Sequence, residues 1–302
     1  MIYKTFFYAF FLIHGFLSLI CQVLWQRELI LVLGGSVYST TIILMAYMSG
    51  LALGNFWAGK LMTRFRHEYR LLAWIQVAIG IFIFIFPLLL IGVDAISDFL
   101  FPLSTRHHFF YLFIKALIAF LVLLVPSSLI GVCFPVLVSL FERMKVSRNI
   151  FIGKLNFLNS LGSVLGALMT GFVLIYFLGA RTSLALAGAL FVLSGILVLG
   201  ISLRKPPGIG IPVSPVPESG SWPEKLVMDI PLKPAVLRSL LILLFFCSGF
   251  TALSYELLYN RILIYFLGNT TFSFTLIVSF FILGYSLGSF IFYKFMNRNQ
   301  KI

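Results

Sequence analysis

The chain has 302 residues, of which 61% are hydrophobic and only 10% are charged, with a mean hydropathy of +1.07. This composition excludes a water-soluble globular domain and indicates a protein that folds in the lipid bilayer. The net charge of +13 reflects 22 Lys and Arg against nine Asp and Glu, and the cations lie in short gaps between apolar runs. No basic run suited to phosphates accompanies them, so we expect no nucleic-acid partner.

The cysteines Cys21, Cys133 and Cys247 all fall inside apolar runs. In such positions they behave as small buried hydrophobic residues, not as a disulfide framework or a metal site. We therefore expect neither a bound metal nor another cofactor.

A helix needs about 20 apolar residues to cross a bilayer. The sequence offers eight such stretches, at 6–25, 37–59, 71–93, 109–140, 151–177, 182–202, 239–260 and 270–293. It therefore predicts an all-α, polytopic transmembrane helix bundle of about eight spans, with both chain ends on one side of the membrane.

The distribution of cations predicts the orientation. Seventeen of the 22 Lys and Arg fall on the side of the two termini. The other five, Arg27, Arg106, Lys115, Arg181 and Arg261, fall on or towards the opposite side. By the positive-inside rule both termini face the cytoplasm.

The longest break between apolar runs, residues 203–238, is rich in proline from Pro206 to Pro234. Proline denies a segment helical hydrogen bonding and favours an extended chain. The sequence thus divides into a six-helix membrane unit at 1–202, a cytoplasmic linker at 203–238 and a two-helix unit at 239–302.

An internal repeat relates the two membrane units. Residues 15–60 align with residues 249–294 at an offset of 234, with 17 identities in 46 positions. The identical pairs include Gly15 with Gly249, Arg27 with Arg261, Gly34 with Gly268, Ser39 with Ser273, Gly50 with Gly284, Gly54 with Gly288 and Lys60 with Lys294.

The start of the second copy lies six predicted spans after the start of the first, so both copies cross in the same direction, as do the two six-helix halves of major facilitator transporters. The second half here has only its first hairpin. Three explanations stay open: the rest has been lost, another chain supplies it, or six plus two helices are the working form.

The chain resembles the membrane region of bacterial fused major-facilitator/spermidine synthase proteins. Gly15-Phe16 followed by Gln22-Val23-Leu24-Trp25-Gln26-Arg27 is similar to the G-F-x-x-L-x-x-E-x-L-W-x-R opening of that family. Further similar positions are Gly50, Gly54, Gly59-Lys60, Arg64, Gly131-x-x-Phe134-Pro135, Asn156 through Gly162, Gly166 and Gly171. Gln22 departs from the Glu of the pattern; the second copy has Glu256 there but Tyr259 in place of Trp.

The resemblance implies a multi-pass protein of the bacterial inner membrane. It does not imply aminopropyl transfer, because no segment of the sequence could form the Rossmann-like domain that binds the aminopropyl donor in spermidine synthases. We expect no catalytic residue and no enzyme activity.

The function that we expect is transporter-like handling of a small solute, such as a cation or a polyamine. Intramembrane polar groups are the candidate contacts. They are Gln22, Glu256, Asn156, Asn159 and His14. For Glu256 a polar cap is the simpler alternative, and for Asn156 and Asn159 helix packing is favoured.

Two further groups of residues have expected roles. Lys60, Arg64 and Arg66 form a facilitator-type gate or only enforce topology. Arg27 and Arg261 fall just outside their helices, with Gly34 and Gly268 in the outer turns that follow, and a structural role there is favoured over substrate contact.

A second functional hypothesis is a non-catalytic membrane anchor or subunit of a spermidine synthase-like system. Its partner would be a second membrane chain or a soluble synthase-like protein. The lipid bilayer is the environment in both hypotheses.

Overall fold

A computed structural model describes residues 2–34, 37–65, 67–142, 148–204, 234–268 and 270–299. Most of the predicted linker, residues 205–233, lies outside the described residues, as does Arg66. The described residues form helices α1 (Ile2–Leu33), α2 (Val37–Arg64), α3 (Glu68–Arg106), α4 (His108–Glu142), α5 (Arg148–Met169), α6 (Ile175–Arg204), α7 (Pro234–Leu267) and α8 (Thr270–Asn299). The predicted all-helical class is confirmed.

Within the described residues, seven helical segments are long and apolar enough to cross a membrane, which is the pattern of a multi-pass membrane protein. One of them, Gly153–Leu203, has 51 residues and covers nearly all of the fifth and sixth predicted spans, 151–177 and 182–202. A short π-helix, Thr170–Leu174, joins α5 to α6. Within α6, Gly179 has φ 75° and ψ 168°, far from helical values, so the segment is not one continuous rod.

Helix α1 lies at the centre of the packing. It packs mainly against α5, while α2 packs against α4 and α3 packs against α6. The second unit is attached through α8, which packs against α5. The main apolar core is made by α1 to α6, and its largest fully buried side chains include Trp25, Phe86 and Phe191.

Helix α2 approaches α4 closely because glycines line the contact. A Cβ atom at Gly54 would overlap the Ser128 carbonyl oxygen, and a Cβ atom at Gly131 would lie 2.5 Å from the Leu51 carbonyl oxygen. Small residues allow such close approach between membrane helices, where van der Waals packing drives association.

The first helix of each repeat ends in the same way. The amide of Gly34 donates to the Ile30 carbonyl at 2.9 Å, and the amide of Gly268 donates to the Ile264 carbonyl at 2.8 Å. The two glycines have φ of 89° and 61°, a left-handed conformation that glycine adopts without a steric penalty. The repeat seen in the sequence is therefore also a repeat of backbone geometry.

The first and seventh helices extend several residues beyond the predicted ends of their spans. We expected Arg27 and Arg261 just outside their helices, but α1 continues to Leu33 and α7 continues to Leu267. A hydropathy window ends at the first charged residue, whereas helical hydrogen bonding continues through Arg, Glu and Leu, which are good helix formers.

Candidate functional site

A stripe of buried polar side chains runs along α1. His14, Ser18, Gln22 and Gln26 follow one another at intervals of four residues, and all four are buried. Because four residues turn an α-helix by about 400°, the stripe winds slowly around α1 over about 18 Å. It thus places hydrogen-bonding groups inside an otherwise apolar bundle.

The His14 end of the stripe is joined to neighbouring helices. The His14 Nδ1 atom lies 3.3 Å from Gln76 Nε2 of α3, and its ring meets the Phe191 ring of α6 edge-on at 6.3 Å between centroids. Ser18 donates to the His14 carbonyl at 2.8 Å. The contacts of His14 hold α1 against α3 and α6, so this part of the stripe has a structural role.

The Gln22 end of the stripe is different, because four polar atoms there are buried without a protein partner. Gln22 Nε2, Trp25 Nε1 and both side-chain polar atoms of Gln26 are buried without a hydrogen bond. Residues spaced by three and four share one face of a helix. An unpaired buried donor or acceptor costs about 1–3 kcal/mol, so this cluster is suited to a bound group that offers hydrogen-bond partners.

Helix α7 carries a matching polar pair. Glu256 and Asn260 stand at the repeat positions of Gln22 and Gln26, and they are the only buried side chains among those described in α7. The Asn260 Oδ1 atom has no hydrogen-bond partner. Helix α7 therefore turns Glu256 and Asn260 inwards and most of its apolar residues outwards, the arrangement expected of a helix in lipid.

An apolar cluster includes residues that are next in sequence to both polar pairs. It is built around Leu19, Val23, Leu44, Ala167, Phe274 and Val278, with Leu257 packed against it. Val23 and Leu257 are repeat equivalents and directly follow Gln22 and Glu256, and Leu44 and Val278 are a second equivalent pair. The two copies thus contact each other through equivalent positions of the repeat. Each polar pair is adjacent in sequence to one of these positions.

The two predicted asparagines of α5 lie in different surroundings. Asn156 donates to the Tyr285 hydroxyl at 2.9 Å and to Ser289 Oγ at 2.8 Å, both in α8. Asn159 lies against α1, where its backbone carbonyl contacts Gly15, next to His14, and its side-chain Oδ1 atom is buried without a partner. The structure therefore brings Asn159 to the His14 level of the stripe and places Asn156 in a helix contact.

The predicted gate residues lie at the exposed end of α2. The Lys60 ammonium lies 5.5 Å from the centre of the Phe56 ring, and Arg64 is the last residue of the helix. Neither makes an ion pair with any residue that the structure describes. Their third member, Arg66, lies outside the described residues.

The predicted outer-turn residues divide into two kinds. Gly34 and Gly268 end α1 and α7, as described above. Arg27 is half-buried and Arg261 is exposed, and both lie within their helices, about two turns before those glycines.

Sequence reasoning missed several buried polar groups, among them Gln26, Asn260 and Gln76. The repeat carried a signal for the first two, because both copies have a carboxamide four residues after the Gln22 or Glu256 position. Gln76 is the only amide in the apolar run 71–93, which also marked it.

No group of three or more His, Cys, Asp or Glu side chains placed to hold a metal ion occurs in the described part of the chain. Comparison with protein-family models, with curated proteins and with solved structures found no match to this chain.

Proposed function

We propose that this protein is a membrane carrier that moves a small polar solute, cationic or polyamine-type, past the polar pairs of α1 and α7. One observation carries the proposal: buried polar side chains without partners occupy repeat-related positions in two apolar helices. Intramembrane polar groups are costly to keep, and they mark substrate paths in transporters.

The chemistry of the two pairs supports a cationic solute. Glu256 supplies the only carboxylate among these groups, and a carboxylate attracts an ammonium group strongly where little water screens the charge. Gln22, Gln26 and Asn260 add carboxamides, each of which both donates and accepts hydrogen bonds. An alkyl diamine or polyamine would match one carboxylate, several amides and the apolar cluster beside them.

The proposed architecture has eight spans and is major-facilitator-like. Gly153–Leu203 would be about 77 Å long as one helix, far more than a bilayer core of about 30 Å. The non-helical Gly179 supports two spans in this segment. Transport would follow from rocking of the two repeat-related units about the apolar cluster that joins them.

We further propose that the chain is similar to the membrane region of bacterial fused major-facilitator/spermidine synthase proteins. It would then lie in the inner membrane with both ends in the cytoplasm. The cation distribution supports this orientation.

The alternative function is a non-catalytic membrane subunit or anchor of a synthase-like system. The observation that favours it is the exposure of the second unit: α7 buries only Glu256 and Asn260 among its described side chains. Helix α7 contacts the rest of the chain mainly through α8, so its other sides are free to pack against a helix of another membrane chain.

Flux measurements in proteoliposomes test the carrier proposal. We expect saturable uptake of labelled putrescine or spermidine under an imposed proton gradient, reduced at least tenfold in Glu256→Gln. The matched control is Asp98→Asn, which removes an exposed carboxylate of α3 and should leave the flux unchanged. Flux no greater than in empty liposomes would reject the carrier function of this chain and favour the subunit.

A further inference from the structure

The α7–α8 hairpin carries three open glycines, one on α7 and two on α8. A Cβ atom at Gly249, Gly284 or Gly288 would meet no other atom within 4 Å. These glycines are identical in the first copy, where they correspond to Gly15, Gly50 and Gly54.

The same glycines in the first copy are in tight helix contacts. A Cβ atom at Gly50 would overlap Ser127 of α4, and one at Gly15 would overlap the Asn159 carbonyl of α5. Together with the Gly54 contact to Ser128, these approaches hold α2 on α4 and α1 on α5. The repeat therefore indicates which kind of helix would fit each open glycine. Gly284 and Gly288 of α8 would fit a helix similar to α4, and Gly249 of α7 would fit a helix similar to α5.

The open glycines of α8 are separate from its existing contact. Helix α8 meets α5 through Tyr285, Ser286 and Ser289, and Ser286 lies about 160° around the helix from Gly284. Gly284 and Gly288 thus face away from α5. Glycine is a poor helix former, so in this helix the two residues weaken the helix without improving any packing among the described residues.

We infer that the α7–α8 hairpin binds, through Gly249, Gly284 and Gly288, a second membrane protein that presents two consecutive helices similar to α4 and α5. A second copy of this chain does not fit, because its own α2 covers Ser127 and Ser128 of α4 and its own α1 covers Gly162 and Gly166 of α5. The matching surface on the partner is a stripe of Ser and Gly spaced along one helix face, as in Ser127, Ser128 and Gly131. This interaction goes beyond the carrier proposal and is independent of it.

Energy transfer in liposomes tests the interaction with a defined probe. Cys247 is exposed on α7, while Cys21 and Cys133 are buried, so a donor dye can be attached at Cys247. The probe is a peptide with the sequence of residues 108–142, labelled with an acceptor dye at its amino terminus. We expect saturable energy transfer that falls at least fivefold in the double variant Gly284→Leu, Gly288→Leu.

Two controls make the result specific. Gly59→Leu fills another open helical glycine, on α2, and should leave the transfer unchanged. A probe with Ser128→Leu and Gly131→Leu should not bind. The inference is overturned if the double variant binds the probe as the native chain does, or if no saturable transfer occurs. It is also overturned if copies of the chain associate with each other through a contact that the double variant abolishes.

Discussion

Gly54 and Gly288 are the same residue of the repeat in two environments. Gly54 is pressed against the Ser128 carbonyl, and Gly288 meets nothing within 4 Å. Adding one methyl group should therefore lower the free energy of unfolding at Gly54 but not at Gly288.

We expect Gly54→Ala to lower the free energy of unfolding by about 1–3 kcal/mol, because the methyl group forces α2 away from α4. Gly288→Ala should leave that free energy unchanged or raise it by up to about 1 kcal/mol, since alanine is the better helix former. Unfolding in mixed micelles at increasing SDS, followed by circular dichroism, measures both. Equal losses in the two variants would show that Gly288 is in close contact within the chain.

At single positions the sequence predicted which residues are equivalent in the two copies, but not what surrounds each of them. The repeat identified the equivalent glycines, yet it could not show that one set is packed and the other open, because that depends on which helices are neighbours. Gln22 and Glu256 were recognised as intramembrane polar residues because they lie inside apolar runs. Gln76 also lies inside such a run, but hydropathy does not show whether a side chain points into the bundle, because that direction is set by packing.

The contact between α5 and α8 is the main attachment of the second unit, and polar groups contribute to it. Asn156 donates to both Tyr285 and Ser289, and Ser286 Oγ donates to the Phe157 carbonyl at 3.4 Å. The Phe157 and Phe290 rings pack nearby with 5.1 Å between centroids. The hairpin is thus attached by amide and hydroxyl contacts together with aromatic packing.

A double-mutant cycle of Asn156→Leu and Ser289→Ala should give a coupling energy of about 0.6 kcal/mol, which is typical of hydrogen bonds between membrane helices. The unfolding free energies of the four variants in mixed micelles provide the measurement. Ser97→Ala is the control, because Ser97 donates to its own helix at Val93 and should be additive with Asn156→Leu. A coupling near zero would contradict a direct bond.

Helices were predictable from the sequence as elements, but their ends were not. Apolar runs predicted each helix, whereas α1 and α7 continue to the residue before a glycine with positive φ. The π-helix Thr170–Leu174 could not be predicted, since an apolar run has the same hydropathy in either kind of helix; its Gly171 lies against Thr275 of α8.

For the whole molecule, the number of spans depends on the segment Gly153–Leu203. If Gly179 lies at a turn between two spans, Arg181 is on the same side of the membrane as Asp98 of α3. Both side chains are exposed. Lys60, near the carboxyl end of α2, is also exposed, so all three positions accept a reporter cysteine.

In a cysteine-free background, we expect Asp98→Cys and Arg181→Cys to react with a membrane-impermeant maleimide applied to intact spheroplasts. Lys60→Cys should react only after the membrane is permeabilised, because the cation distribution places it in the cytoplasm. Labelling yield on gels is the measurement. Protection of Arg181→Cys together with labelling of Asp98→Cys would exclude the eight-span topology.

The inward-facing Glu256 and Asn260 also determine how the hairpin is made. Ser239–Leu267 is apolar enough to enter the bilayer during synthesis, but on entry its carboxyl and amide groups would face lipid at high cost. In the folded chain both side chains are buried, and α7 packs mainly beside α8. We therefore expect α7 and α8 to integrate as a pair.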